Sequence, residues 1–134
     1  MVRTGIVVLT ALFVALASGS AIPRALPSGT VTCGSHKFSV SAVSAAVNAG
    51  AKDLSSGNLP SGYPHQFRND EGLKLWCSGS GPWYEFPIIS GGAIFKSGSP
   101  GADRVIFTSS GTYCAVVTHT GASQTNGFVS CAND

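Results

Sequence analysis

Charge is scarce in this 134-residue chain, which holds 8 Lys and Arg, 6 Asp and Glu and 3 His. A formal net charge of +2 leaves no broad basic surface, and so excludes a nonspecific nucleic-acid binder that relies on releasing many counterions. Any phosphate chemistry is confined to a local site. No apolar run reaches the roughly 20 residues needed to span a bilayer. The four cysteines include no CxxC spacing, which argues against a zinc site, and no internal repeat is present. Only one stretch has a helix-like apolar period.

What is present begins with an address. Arg3 supplies a positive start, Ile6 to Ala17 is apolar apart from Thr10, and the small residues Ala17, Ser18, Gly19, Ser20 and Ala21 follow. This is the pattern of a secretory signal peptide over residues 1–21, with Arg24 marking a possible short propeptide. Its removal leaves about 113 residues, 22–134, with 7 Lys and Arg against 6 Asp and Glu. That is the size of a single domain, expected to be secreted, free of the membrane and monomeric. In a secreted chain cysteines form disulfides. Of the three possible connectivities, Cys33 with Cys131 and Cys77 with Cys114 is favoured, the first tying the two ends of the domain together. Closing loops of this size contributes roughly 4 to 5 kcal/mol each as an upper estimate, which matters in a small core.

The fold class reads as α+β. From Ser39 to Leu54, Val40, Val43, Val47, Ala51 and Leu54 recur three or four residues apart, with Ser39 placed to cap the start. Beyond Leu54, short runs bounded by Gly, Pro and Ser replace this period: Leu73–Cys77, Tyr84–Ile89, Arg104–Thr108, Tyr113–His119 and Phe128–Cys131. One amino-terminal α-helix packed on a curved antiparallel β-sheet is the expected architecture.

Against this charge-poor background, four ionisable residues stand in or beside strand-like segments: His65, Glu85, Arg104 and His119. Burying a charge costs several kcal/mol unless a partner or bound ion compensates it, so their placement there calls for a reason. Side chains alternate along a strand. Tyr63 and His65 therefore share a face, Glu85 lies opposite Phe86 and Ile88, Arg104 opposite Val105 and Phe107, and His119 opposite Val116 and Thr118. The expectation is an apolar face under the helix and a polar, reactive face on the other side. Two imidazoles, a carboxylate and a guanidinium on that face suit acid–base work at a phosphate.

The same residues lie in stretches that resemble the guanyl-specific fungal ribonucleases. The stretches are Thr32-Cys33-Gly34-Ser35, Tyr63-Pro64-His65-Gln66-Phe67-Arg68-Asn69-Asp70-Glu71-Gly72, Tyr84-Glu85-Phe86-Pro87-Ile88, Gly98-Ser99-Pro100-Gly101-Ala102-Asp103-Arg104-Val105-Ile106-Phe107, Val117-Thr118-His119-Thr120-Gly121-Ala122-Ser123 and Phe128-Val129-Ser130-Cys131. They occur in the family's order and cover nearly the whole mature chain. The resemblance implies the microbial ribonuclease fold. It also implies cleavage of single-stranded RNA on the 3′ side of guanosine through a 2′,3′-cyclic phosphate, with no metal or other cofactor. On that reading Glu85 is the base that accepts the 2′-hydroxyl proton, and His119 is the acid that protonates the departing 5′-oxygen. His65 partners the carboxylate, Arg104 and Tyr63 face the non-bridging phosphate oxygens, and Phe128 is an apolar wall.

RNA carries its own nucleophile, so such a site needs a base and an acid on opposite sides of the phosphorus with cationic donors between. A bell-shaped pH profile follows from those roles. The guanine site implied by the resemblance comprises Phe67, Arg68, Asn69, Asp70, Glu71 and Asn126. The Glu71 carboxylate matches guanine's N1–H and N2–H donors, backbone amides around Asn69 address N7 and O6, and Phe67 stacks on the base. Asp70 stands where well-known members have a second aromatic, Arg68 where they have asparagine, and Gly121–Phe128 is one residue longer. A looser lid over the base is therefore expected. The alternative function is a catalytically weak or silent secreted RNA-binding effector on the same scaffold. Such relatives lose the acid–base residues, which this chain keeps.

Overall fold

The computed structural model describes residues 25–134, so the signal-peptide reading of residues 1–21 lies outside the described residues. A short hairpin opens the domain, β1 (Val31–Cys33) against β2 (His36–Phe38), followed by α1 (Val40–Ser56). After a 3₁₀ turn at Pro60–Gly62 come β3 (His65–Phe67), β4 (Trp83–Pro87), β5 (Asp103–Thr108), β6 (Tyr113–Thr118) and β7 (Val129–Ser130). These five form one antiparallel sheet in sequence order, joined at every step by neighbours along the chain.

The helix forms where the apolar period predicts and runs two residues beyond Leu54. The Ser39 hydroxyl accepts the Ala42 N–H at 3.1 Å, satisfying one orphan donor of the first turn. Gly57 ends it in the left-handed conformation that glycine adopts without a Cβ penalty. Val43, Ala46, Val47 and Gly50 are buried against β4, β5 and β6. Gly50 is the point of closest approach: a Cβ there would lie 2.7 Å from Phe107 Cζ and 2.9 Å from Phe86 Cβ. Phe86, Val105, Phe107, Tyr113 and Val116 complete the core under the helix, and Val31, Cys33 and Phe38 extend it beneath the hairpin. Two disulfides, Cys33–Cys131 and Cys77–Cys114, tie the ends together and fasten a loop to β6.

Two expectations are corrected. Leu73–Cys77 is not a strand. Its apolar alternation is real, since Leu73, Leu75 and Cys77 all pack on the sheet's outer side, but only Trp76 N–H reaches a β6 carbonyl, that of Cys114, at 2.8 Å. Packing and the disulfide hold this segment without a ladder. The outer face, expected to be polar, instead carries a second apolar cluster of Phe67, Ile106, Cys114, Ala115 and Val117. Leu73, Leu75, Trp83 and Phe128 pack against it. A sheet this small has loops long enough to cover part of its second face, and the uncovered remainder becomes a cleft with an apolar floor.

Candidate active site

Strand register assembles the site. His65 on β3 is directly opposite Glu85 on β4, Glu85 is opposite Ile106 on β5, and Ile106 is opposite Ala115 on β6. One row further along, Pro87 pairs with Arg104, Arg104 with Val117, and Val117 with Ser130 on β7. Successive rows on one face are two residues apart, so His65, Glu85, Arg104 and His119 all belong to the outer face, as strand parity predicts. His119 follows the last residue of β6, and its N–H continues the ladder to Ala102 O at 3.0 Å.

Each side chain is oriented by neighbouring groups, and Glu85, Arg104 and His119 each keep one polar atom uncommitted. Glu85 is 7% exposed; its Oε1 meets His65 Nε2, and its Oε2 is buried with no hydrogen-bond partner. The other His65 nitrogen, Nδ1, faces Gly62 O at 3.3 Å. Both ring nitrogens thus point at acceptors. Arg104 is 3% exposed. Its Nη1 donates to Gly101 O at 2.8 Å and Asp103 O at 2.9 Å, and its Nη2 to the Tyr63 hydroxyl at 3.1 Å, while the buried Nε has no partner. His119 Nδ1 donates to Gly127 O at 2.7 Å, which leaves Nε2 as the nitrogen free for chemistry. The ring stacks on Phe128, with centroids 4.0 Å apart and planes at 25°.

A buried carboxylate oxygen and a buried guanidinium N–H without partners are each costly, by roughly 1 to 3 kcal/mol or more for charged groups. They stand in neighbouring rows of one face, above the apolar floor of Ile106 and Val117. A ligand offering a hydroxyl to the first and an anionic oxygen to the second satisfies both. In such a water-poor setting these interactions are stronger than on an open surface.

Beside this platform a pocket of about 170 Å³ is lined by Phe67, Arg68, Asn69, Asp70, Glu71, Glu85, Asn126 and Phe128, among others. All six residues of the expected guanine site therefore share one cavity with Glu85. Asn69 is in the left-handed conformation, and its amide spans the turn, bonding Leu73 O at 2.9 Å and Leu73 N at 2.8 Å. Glu71 Oε1 accepts the Phe128 N–H at 3.1 Å, joining this turn to the 121–128 loop. Asn126 is also left-handed and exposed. Phe67 differs from its expected part as a stacking platform. It is 4% exposed within the outer apolar cluster, packs edge-on against Phe128 and forms a wall of the pocket. Arg68 and Asp70 form a loose exposed pair at 3.7 Å across the rim.

A family model described as ribonuclease matches residues 26–132. The chain belongs to the ribonuclease family. Guanyl-specific ribonuclease Ap1 of Aspergillus pallidus is 51% identical over 102 residues, covering 75% of this chain and 95% of that protein. Guanyl-specific ribonuclease T1 of Aspergillus oryzae is 42% identical over 135 residues, covering 98% and 99%. The structure of a ribonuclease from Hericium erinaceus superposes with a TM-score of 0.56 at 33% identity, over 77% of this chain and 98% of that one. This ribonuclease keeps the family's one helix on an open antiparallel sheet.

Sequence reasoning missed the parts that hold the reactive groups still. The carbonyls of Gly62, Gly101 and Gly127 orient His65, Arg104 and His119, and Ile106, Ala115 and Val117 form the floor. Strand parity could have found the floor. Nothing local marks a backbone carbonyl as an anchor. Among the described residues, no group of three or more His, Cys, Asp or Glu is placed to hold a metal ion.

Proposed function

We propose that this ribonuclease is a secreted endoribonuclease that cuts single-stranded RNA 3′ of guanosine by transphosphorylation through a 2′,3′-cyclic phosphate, independently of metal. The observation that carries the reading is the pair of unsatisfied buried atoms, Glu85 Oε2 and Arg104 Nε, on the face that also holds His119. Glu85 Oε2 takes the 2′-hydroxyl proton, and the 2′-oxygen attacks phosphorus. Charge developing on the non-bridging oxygens falls to Arg104 Nε, supported by the Tyr63 hydroxyl. The P–O5′ bond breaks as His119 Nε2 gives its proton to the leaving oxygen. His65 holds Glu85 in position, and Phe128 keeps water from the His119 side. Water later opens the cyclic phosphate with the roles of Glu85 and His119 reversed.

Guanine is selected in the adjoining pocket. One Glu71 oxygen already accepts from Phe128 N–H, so the carboxylate is turned toward the cavity, where guanine's N1–H and N2–H find an anion and adenine offers only an acceptor at N1. The relatives' names carry the same base preference. The leader over residues 1–21 and the two disulfides support secretion of a single domain from residue 22 to 134, which we read as a monomer. The deciding experiment is base-resolved mapping of cut sites on a synthetic RNA in excess chelator. Cuts after guanosine ending in 2′,3′-cyclic phosphate are expected. Cuts without base preference, or loss of cleavage in chelator, sink the corresponding part of the reading.

A further inference from the structure

Behind the outer face lies a polar network that the proposed mechanism does not use. Asp103 is 2% exposed and sits on the inner face at the end of β5, directly opposite Thr118 on β6. Its Oδ1 accepts the Thr118 hydroxyl at 2.7 Å, and its Oδ2 accepts His36 Nδ1–H at 2.6 Å. The Thr118 hydroxyl in turn accepts the Thr120 N–H at 3.1 Å. His36 comes from a different sheet, the β1–β2 hairpin, and its side chain is 47% exposed. The turn of that hairpin presses on the same place: a Cβ on left-handed Gly34 would lie 2.8 Å from Thr120 Cγ2.

The network brackets both phosphate-facing groups in sequence. Arg104 follows Asp103, and Arg104 Nη1 bonds the Asp103 carbonyl at 2.9 Å. His119 lies between Thr118 and Thr120, both of which are in the network. A carboxylate this buried is costly unless its oxygens are satisfied, so removing the His36 donor leaves Oδ2 to take a new partner, either water entering where the half-exposed ring stood or a group brought up by a shift of the end of β5 or β6. Such a shift moves Arg104 and His119 together.

We infer that His36 is a positioning residue: acting from the hairpin through Asp103 and Thr118, it clamps the β5–β6 end that carries Arg104 and His119. The inference rests on the proposed function for its kinetic consequence. It touches neither substrate nor the guanine pocket, so it governs kcat and leaves KM alone.

The test compares wild type, His36→Ala and His36→Asn, with Glu85→Gln as the activity control, on a guanosine-containing dinucleotide. Asparagine keeps an N–H donor near the Nδ1 position. His36→Ala is expected to lower kcat about tenfold or more with KM within twofold, because a misplacement on the order of 1 Å costs up to about a hundredfold. His36→Asn recovers most of the loss. Amide hydrogen exchange at Arg104, His119 and Thr120 speeds up in His36→Ala and returns in His36→Asn, a readout independent of turnover. Unchanged kcat with a lower Tm, a rise in KM that accounts for the loss, or unaltered exchange at those amides in His36→Ala each overturns the clamp. Should wild type match Glu85→Gln in activity, the catalytic reading fails, and exchange alone then decides the clamp. Should His36→Ala fail to fold, His36→Phe keeps the ring's volume while removing the donor to Oδ2, and is judged on the same criteria.

Discussion

Glu85 and Arg104 stand on the middle strands with less than a tenth of their surface exposed, whereas Arg68, Asp70 and Glu71 line the adjoining pocket from exposed loops. The two regions meet at Phe128 and are held by different means. On the proposed catalytic platform, each reactive side chain is fixed by strand register and by a backbone carbonyl or a neighbouring side chain. In the proposed base pocket, the chain itself is fixed: Asn69 clamps its own turn and Glu71 ties that turn to the next loop. Charge stabilisation in a transition state depends on donors that need not reorganise, so it favours rigid, buried mounting. Reading a base edge needs amides and one carboxylate at a rim that opens to admit the base. Loops meet that need.

The sharpest break comes on the platform. Glu85→Gln or His119→Ala is expected to lower kcat by about 10²- to 10⁴-fold with little change in KM, measured as cyclic-phosphate formation from a guanosine dinucleotide. A loss confined to KM contradicts the division between the two regions. Next in size is Arg104→Lys, which removes Nε and leaves the Gly101 and Asp103 carbonyls with a single ammonium to share. A fall of about 10²-fold in kcat together with a lower Tm is expected.

The base pocket answers in KM. Glu71→Gln keeps an oxygen for the Phe128 N–H but removes the charge, so the fold stays intact while discrimination of guanosine over adenosine falls by about 1 to 3 kcal/mol, read from kcat/KM on the two dinucleotides. The smallest effect belongs to the rim. Arg68 and Asp70 are 78% and 72% exposed, so Arg68→Ala and Asp70→Ala should each change unfolding free energy by less than about 1 kcal/mol, measured by urea titration. If Asp70→Tyr tightens guanosine binding severalfold, the open rim sets the weaker grip expected of this pocket.

The helix was legible because a 3.6-residue apolar period with Ser39 before it is a local signal, and β4, β5 and β6 were legible because alternating apolar residues between Gly and Pro breaks are one too. The strands β1 and β2 were not, and β3 was read only through the parity of Tyr63 and His65, since three residues are too few for a period and their pairing is decided elsewhere. Leu73–Cys77 shows the opposite failure: its alternation records which side is apolar, whether or not a ladder forms. The site divides in the same manner. Parity put His65, Glu85, Arg104 and His119 on one face and places Ile106, Ala115 and Val117 there too, but it cannot show that distant loops cover part of that face. Phe67 is buried for that reason.

By itself, then, the sequence determined the helix, the central strands and the side of the sheet on which His65, Glu85, Arg104 and His119 fall, all consequences of short-range periodicity, and it favoured the cysteine pairing that the structure shows. Only the tertiary structure decided that Glu85 Oε2 and Arg104 Nε are left without partners, that His119 is held through Nδ1, and that His36 reaches Asp103. Those facts depend on contacts between residues far apart in the chain, where burial rather than pattern determines which polar atoms are satisfied.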